Sequence, residues 1–214
     1  MKPAALFLRE FVRAFKTTGA ILPSGRALAG ELARPLLDLS SPRRILEAGP
    51  GTGPVSDLLI RGLGPEDELH LCEVNPVFAR HLAERLDNDP AWGPKRGRVR
   101  LHQRDVRDLF EPGRFHLVVS GLPLNNFGPE LVDELLGGFL ESLAPGGCHT
   151  FFEYIAIRAL KRRLARSEER SRFRAIEQVV RSRLTPWQWH RKAVWINIPP
   201  AWAYAVRRST GGSD

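Results

Sequence analysis

The sequence predicts an α/β fold: a mostly parallel, seven-stranded sheet with helices on both faces and an antiparallel C-terminal edge. Three observations predict it. After Pro42, short apolar runs alternate with segments of helical spacing. The glycine cluster GPGTG joins the first run to the helix after it. Near the C-terminus two aromatic-rich runs flank Pro199-Pro200 at a spacing that suggests an antiparallel pair. At 214 residues the chain suffices for one sizeable core.

Each element follows in order. RRILEAG (43–49) reads as a buried strand and PVSDLLIRGL (54–63) as the next helix. ELHLCEV (68–74) is the second strand, and PVFARHLAERL (76–86) carries Val77, Leu82 and Leu86 at helical spacing. Asp89-Pro90 and Gly93-Pro94 mark a loop before the third strand, RVRLHQ (98–103). FHLVVS (115–120) is the fourth strand. PELVDELLGGFLESL (129–143) is a helix, expected to stop at Pro145-Gly146-Gly147. CHTFFEYIAI (148–157) is the fifth strand. RALKRRLA (158–165) and EERSRFRAIEQVVRSRL (168–184) read as two helices, the second capped by Ser167 with Glu168 and Glu169 complementing its dipole. WQWHRKAVWINI (187–198) and AWAYAVRR (201–208) close the sheet.

Charge is unevenly placed. The net charge is +8, yet residues 1–16 carry +3, and residues 158–192 carry twelve Lys and Arg against three Glu, leaving the rest of the chain at −4. RNA or an anionic membrane surface would suit these basic segments. No run of about 18 apolar residues suggests a membrane span, and no signal-peptide pattern opens the chain, so a cytoplasmic protein is expected. Cys72 and Cys148 lie in apolar runs and read as buried small hydrophobes. The six histidines form no spaced ligand set, and no metal is expected. His149 could accept a proton, although a structural role is the simpler reading.

ILEAGPGTG (45–53) leaves a strand and opens a helix, where glycines let the backbone turn tightly and approach a ligand. Glu73 ends the second strand, where a carboxylate can accept both ribose hydroxyls. Asp105 ends the third, where one can meet an adenine amino group. A dinucleotide fingerprint would space its glycines to seat a pyrophosphate. Glu47 would repel that group but suits the ammonium of an amino acid. A phosphate-free ligand of adenine, ribose and a methionine tail fits better.

This pattern resembles the class I S-adenosylmethionine-dependent methyltransferases over residues 42–155. The resemblance implies methyl transfer from S-adenosyl-L-methionine. Glu47, Gly49, Gly51 and Gly53 would lie near the methionine part, Glu73 on ribose, Asp105 with Val106 at adenine, and Ser120 beside the donor. Enzymes of this class that methylate base amino groups usually show N-P-P and an aromatic after the fourth strand. Here Ser120-Gly121-Leu122-Pro123-Leu124 replaces the amide with a hydroxyl and the ring with leucine, which favours a smaller, more flexible amine.

In MKPAALFLREFVRAFK, Phe7, Leu8, Phe11 and Phe15 share one helical face opposite Lys2, Arg9, Arg13 and Lys16. Such a helix can lie in a bilayer interface or pack on the domain. Together with TTGAILPSGRALAGELARP (17–35), LEAGPGTG, VVSGLPL and NIPPAWAY (197–204), it resembles the short, soluble bacterial phospholipid N-methyltransferases. That resemblance implies methylation of phosphatidylethanolamine towards phosphatidylcholine. Ornithine-lipid N-methyltransferases and rRNA adenine N6-dimethyltransferases are the alternatives. It implies residues 1–30 as a docking and covering segment, 31–214 as the catalytic domain, and a monomer at the inner face of the cell membrane. Neither a dedicated protein partner nor RNA is expected. The candidate catalytic residues are Tyr154, Ser120 and the carbonyl of Gly121. Tyr154 and Phe127 are candidate aromatic contacts for a methylated ammonium, and Arg13, Lys16 and Arg26 for a lipid phosphate. Trp187, Trp189, Trp195 and Trp202 cluster late; burial in the last two strands is the simpler account, an interface belt or RNA stacking the other.

Overall fold

A computed structural model of the protein describes residues 25–155 and 167–210. The expected docking helix, with Arg13 and Lys16, and the expected helix at 158–165 lie outside the described residues. Helix α1 (Arg26–Ala33) comes first, then β1 (Arg44–Ala48), α2 (Pro54–Arg61), β2 (Glu68–Cys72), α3 (Pro76–Asn88), β3 (Val99–His102) and β4 (Phe115–Ser120). α4 (Pro129–Glu141), β5 (Leu143–Tyr154), α5 (Ser167–Leu184), β6 (Gln188–Val194) and β7 (Ala201–Arg207) complete it. The sheet order is β3-β2-β1-β4-β5-β7-β6. The strands are parallel except β7, which runs antiparallel to both β5 and β6. The order reverses between β1 and β4, which opens a crevice at the carboxyl ends of the strands.

Local chemistry sets the helix starts. Pro54, Pro76 and Pro129 each occupy a first turn, where a missing N–H costs nothing. The Asn75 side chain caps α3 by accepting from the Val77 amide at 2.9 Å. Successive strand residues feed opposite faces of the sheet. Ile45, Leu69, Leu71, Leu117 and Val119 pack with α1 and α2 on one face. Leu46, Val118, Phe151, Tyr204 and Val206 pack with α4 and α5 on the other.

One sequence expectation shifts. α4 ends at Glu141, before Pro145-Gly146-Gly147. The Ser142 hydroxyl donates to the Gly138 carbonyl at 2.7 Å, and the tripeptide lies inside β5, which begins at Leu143. The β4–β5 register slips there between Phe115 and Leu117, and Gly146 has φ +75°. Its glycines form a strand irregularity rather than a helix stop. α1 joins the core: Leu28, Ala29, Leu32 and Ala33 are buried in it, and the Thr150 hydroxyl donates to the Leu32 carbonyl at 2.9 Å.

Candidate active site

Beyond the strand ends the hydrogen-bond ladder continues for one residue. The amides of Gly49, Glu73 and Gly121 donate to the carbonyls of Cys72, His102 and Ala48 at 2.9, 3.0 and 2.8 Å. These bonds carry the expected donor residues to one edge of the sheet. Between β1 and α2 the chain turns with positive φ at Gly49, Gly51 and Gly53. A Cβ placed on Gly51 would meet nothing within 4 Å, so the backbone there faces open space that a ligand can enter. Gly121 answers to a different constraint. A Cβ there would lie 2.5 Å from the Gly49 carbonyl oxygen, so only glycine lets the turn after β4 close against the turn after β1.

Three carboxylates line this edge. Glu47, 1% exposed, accepts a 2.7 Å hydrogen bond from the Ser56 hydroxyl. Burial, with the nearby negative Glu73 adding to it, pushes its pKa up to about 8 against the relief that Ser56 provides. The Glu73 carboxylate accepts from the amides of Gly51 at 3.0 Å and Asn75 at 2.8 Å. Burial raises its pKa, and those amides oppose the rise. They also fix its orientation at the mouth of the glycine turn. Asp105 is buried and caps the turn at 106–109. It is held by Arg107, whose Nε and Nη2 donate at 3.0 and 2.6 Å. Arg107 is not legible as a site residue in the sequence: its role depends on a side chain folding back across two positions. Val106 is buried in the same apolar cluster as Ala48, Cys72 and Leu109, surroundings suited to a base.

The other expected residues divide. Ser120 is fully buried, in register with Ala48, and its Oγ accepts from the Leu122 amide at 3.3 Å. The structure thus brings Ser120 and Gly121 against the glycine turn. Tyr154 ends β5, buried on the α1 face with Phe152 edge-on at 5.1 Å, and burial raises its pKa. Phe127 is 2% exposed within the core of the opposite face, so the two rings belong to separate clusters. Arg26 is exposed at the first turn of α1. His149 is buried, its Nδ1 3.0 Å from the Val118 carbonyl and its ring between Phe139 and Phe151. Burial lowers its pKa to about 4, so it stays neutral as a core residue.

A cavity of about 390 Å³ opens between the turn after β4 and α5. Asn125, Glu153, Arg170, Phe173, Arg174 and Glu177 are among its lining residues. Glu153 is buried and accepts a 2.9 Å hydrogen bond from the Tyr204 hydroxyl, which in turn accepts from Arg191 at 3.2 Å. A lone carboxylate inside the apolar run CHTFFEYIAI is the signal that points to Glu153, whereas the strand-end aromatic beside it, Tyr154, is the more conspicuous residue in the sequence.

The chain is 31% identical over 152 residues to the ornithine lipid N-methyltransferase of Singulisphaera acidiphila, a match covering 69% of this chain and 76% of that protein. A methyltransferase-domain family model matches residues 45–147. The fold is similar to that of the O-methyltransferase TomG from Streptomyces achromogenes, solved with S-adenosylmethionine. Its TM-score is 0.67 at 19% identity, covering 94% of this chain and 89% of that one. It is also similar to the Burkholderia thailandensis 1,6-didemethyltoxoflavin N1-methyltransferase, with a TM-score of 0.64 at 16% identity, covering 96% and 88%. The chain belongs to the class I S-adenosylmethionine-dependent methyltransferases, and S-adenosylmethionine is its cofactor. The open backbone at Gly51 and the buried carboxylates Glu47 and Glu73 fit that ligand, which brings an ammonium and ribose hydroxyls but no phosphate.

Proposed function

We propose that the protein methylates the amine of a membrane-lipid head group. The observation that carries the reading is the 31% identity to an ornithine lipid N-methyltransferase over 152 residues. The cavity supports it. An ornithine head group presents an amine and a carboxylate, and Glu153 and Glu177 share the cavity with Arg170 and Arg174. Opposite charges along one cavity suit a zwitterion better than a flat, neutral base. Leu124, where a base-stacking ring would stand, is 1% exposed in the core, which removes a support for an RNA acceptor.

The chemistry the bound donor supplies is an electrophilic methyl group on a sulfonium. This chain's residues hold and align the groups around it. Glu47 and the glycine turn would hold the amino-acid end and Glu73 the ribose, while Ser120 and Gly121 border the place where the amine arrives. An alkylamine resembles lysine, titrating near 10.4, so presenting it neutral at pH 7 costs about 4–5 kcal/mol. Apolar neighbours such as Phe173 reduce that cost by disfavouring the charged form. One N–C bond forms as one S–C bond breaks, and the amine loses one proton per methyl. Glu153 and Glu177 are carboxylates in the cavity that can receive it on its way to solvent.

Identity to that relative favours ornithine lipid over phosphatidylethanolamine as the acceptor. Phosphatidylethanolamine stays as the second reading because the NIPPAWAY and VVSGLPL segments resemble enzymes acting on it. The test is transfer of isotope-labelled methyl from S-adenosylmethionine to vesicles containing either lipid, with ribosomal RNA as a third acceptor. Label in an amino lipid supports the proposal. Label in RNA alone, or in none of the three while the donor binds, overturns it.

A further inference from the structure

The turn joining β6 to β7 has its polarity reversed. Trp195, Ile196 and Ile198 are 67%, 82% and 75% exposed, while Asn197 between them is 2% exposed. Water favours the opposite arrangement, with the amide outward and the apolar side chains covered. The reversal is built in. The Asn197 Oδ1 accepts from the Gly25 amide at 2.7 Å, and its Nδ2 donates to the Pro199 carbonyl at 2.7 Å. The Ile155 amide donates to the Pro200 carbonyl at 2.8 Å, tying the turn to the end of β5. The expectation that the late tryptophans are buried therefore fails at Trp195, and Trp189 is also exposed.

Its position matters as much as its polarity. Ala201 pairs with Tyr154, so residues 195–200 project from the carboxyl edge of the parallel strands, the edge that holds the glycine turn and Glu73. Exposed cations lie nearby: Arg26 follows Gly25, Arg191 on β6 stacks over Trp202 at 4.4 Å, and Lys192 on β6 is paired with Glu31 at 2.5 Å. Apolar tips with Arg26 and Arg191 nearby, on a chain of net charge +8, match an anionic bilayer, with hydrocarbon under the tips and lipid charge at the rim. We infer that the turn at residues 195–198 inserts into the surface of an anionic lipid bilayer and seats the active-site edge on it. The inference deepens the lipid-acceptor reading and rests on it for why this edge must meet a membrane. Tryptophan suits the interfacial depth, since its ring is amphipathic. Asn197, turned inward, holds the tips in place before contact.

The test uses the full chain and vesicles of phosphatidylglycerol and phosphatidylcholine in equal parts. Burial of two isoleucines is lost in the Ile196→Ser, Ile198→Ser variant, so its partitioning into vesicles falls on the order of a hundredfold. Leu37→Ser, which changes an exposed leucine before β1 at the other end of the strands, leaves partitioning unchanged. Unchanged donor binding shows that both variants are folded. In the otherwise native protein, vesicles with brominated acyl chains quench tryptophan emission, and most of that quenching disappears in Trp195→Phe. Methyl transfer to a short-chain amino lipid dispersed as monomers matches the parent protein, whereas transfer to the same head group in vesicles falls with partitioning. Equal vesicle binding by parent and double variant would overturn the inference. So would a parent dimer that the double variant breaks, since the turn would then join two copies of the chain. Strong vesicle binding through the turn with no transfer to any amino lipid would leave this surface standing and sink the lipid-acceptor reading instead.

Discussion

Replacing Glu47 by glutamine should make the protein more stable as pH rises while weakening its hold on the methyl donor. The amide keeps the shape of the carboxyl and an acceptor for the Ser56 hydroxyl, but removes the buried acid. Glu47 is raised from 4.5 to about 8, so the folded state keeps a proton that the unfolded chain has released. Its favourable contribution is complete below pH 4.5 and is lost as pH rises through about 8. At 1.36 kcal/mol per pH unit the full effect is about 4–5 kcal/mol, of which about 3–4 kcal/mol falls between pH 5 and pH 8. Urea denaturation of both proteins at those two pH values measures it. The stability difference, variant minus parent, should grow by that amount on going from pH 5 to pH 8. A donor ammonium beside Glu47 would favour the ionised acid, so calorimetric affinity for S-adenosylmethionine in the parent should fall about tenfold for each pH unit below 8. The variant should bind more weakly and lose that dependence. A stability difference that changes by less than about 1 kcal/mol between the two pH values would refute the reasoning, because Glu47 would then be ionised in the folded protein.

Gly121→Ala should cost about 1–3 kcal/mol by overpacking, since its Cβ meets the Gly49 carbonyl at 2.5 Å; thermal melting and donor titration should both register it, and an unchanged Tm would contradict the close approach. Glu153→Gln should leave donor affinity intact and lower transfer to amino lipid at least tenfold, about 1.4 kcal/mol; equal losses in donor binding and transfer would make the residue a support of the fold. Arg43→Met should destabilise by about 3–5 kcal/mol by stranding Asp67. Burial pushes the Asp67 pKa up, but hydrogen bonds from Arg43, Gly64 and Ser41 outweigh it and hold it at about 2. The stability Asp67 contributes is present above pH 3.8 and lost as pH falls through about 2, so the Arg43 variant should lose the acid limb of its stability profile, which denaturation between pH 2 and pH 6 would show.

The strand that reads FHLVVS spans the residues the sequence marks, 115–120, because a buried parallel strand is a largely apolar run ended by a turn. The glycine turn and Glu73 are legible for a related reason: each directly follows a strand, and parallel topology brings such positions to one edge. Pro145-Gly146-Gly147 misleads because the residues that stop a helix also permit a bulge, and only the pairing with β4 decides between them. Tyr154 draws attention as an aromatic at a strand end, yet Glu153 reaches the cavity, because neighbouring strand residues face opposite sides. Trp195 and Asn197 show the limit most plainly. Composition would bury the ring and expose the amide, and the contact with Gly25, 172 residues away in the chain, reverses both.

The central claim is that an amino lipid receives the methyl group, and lipid mass spectrometry of a bacterial host that makes ornithine lipid and phosphatidylethanolamine tests it most directly. Expression should shift the amino-lipid head groups upward in steps of one CH2, with ornithine lipid changing first, and Glu73→Ala should abolish the shift. Unaltered amino lipids, in cells where the purified protein binds S-adenosylmethionine, would contradict the account.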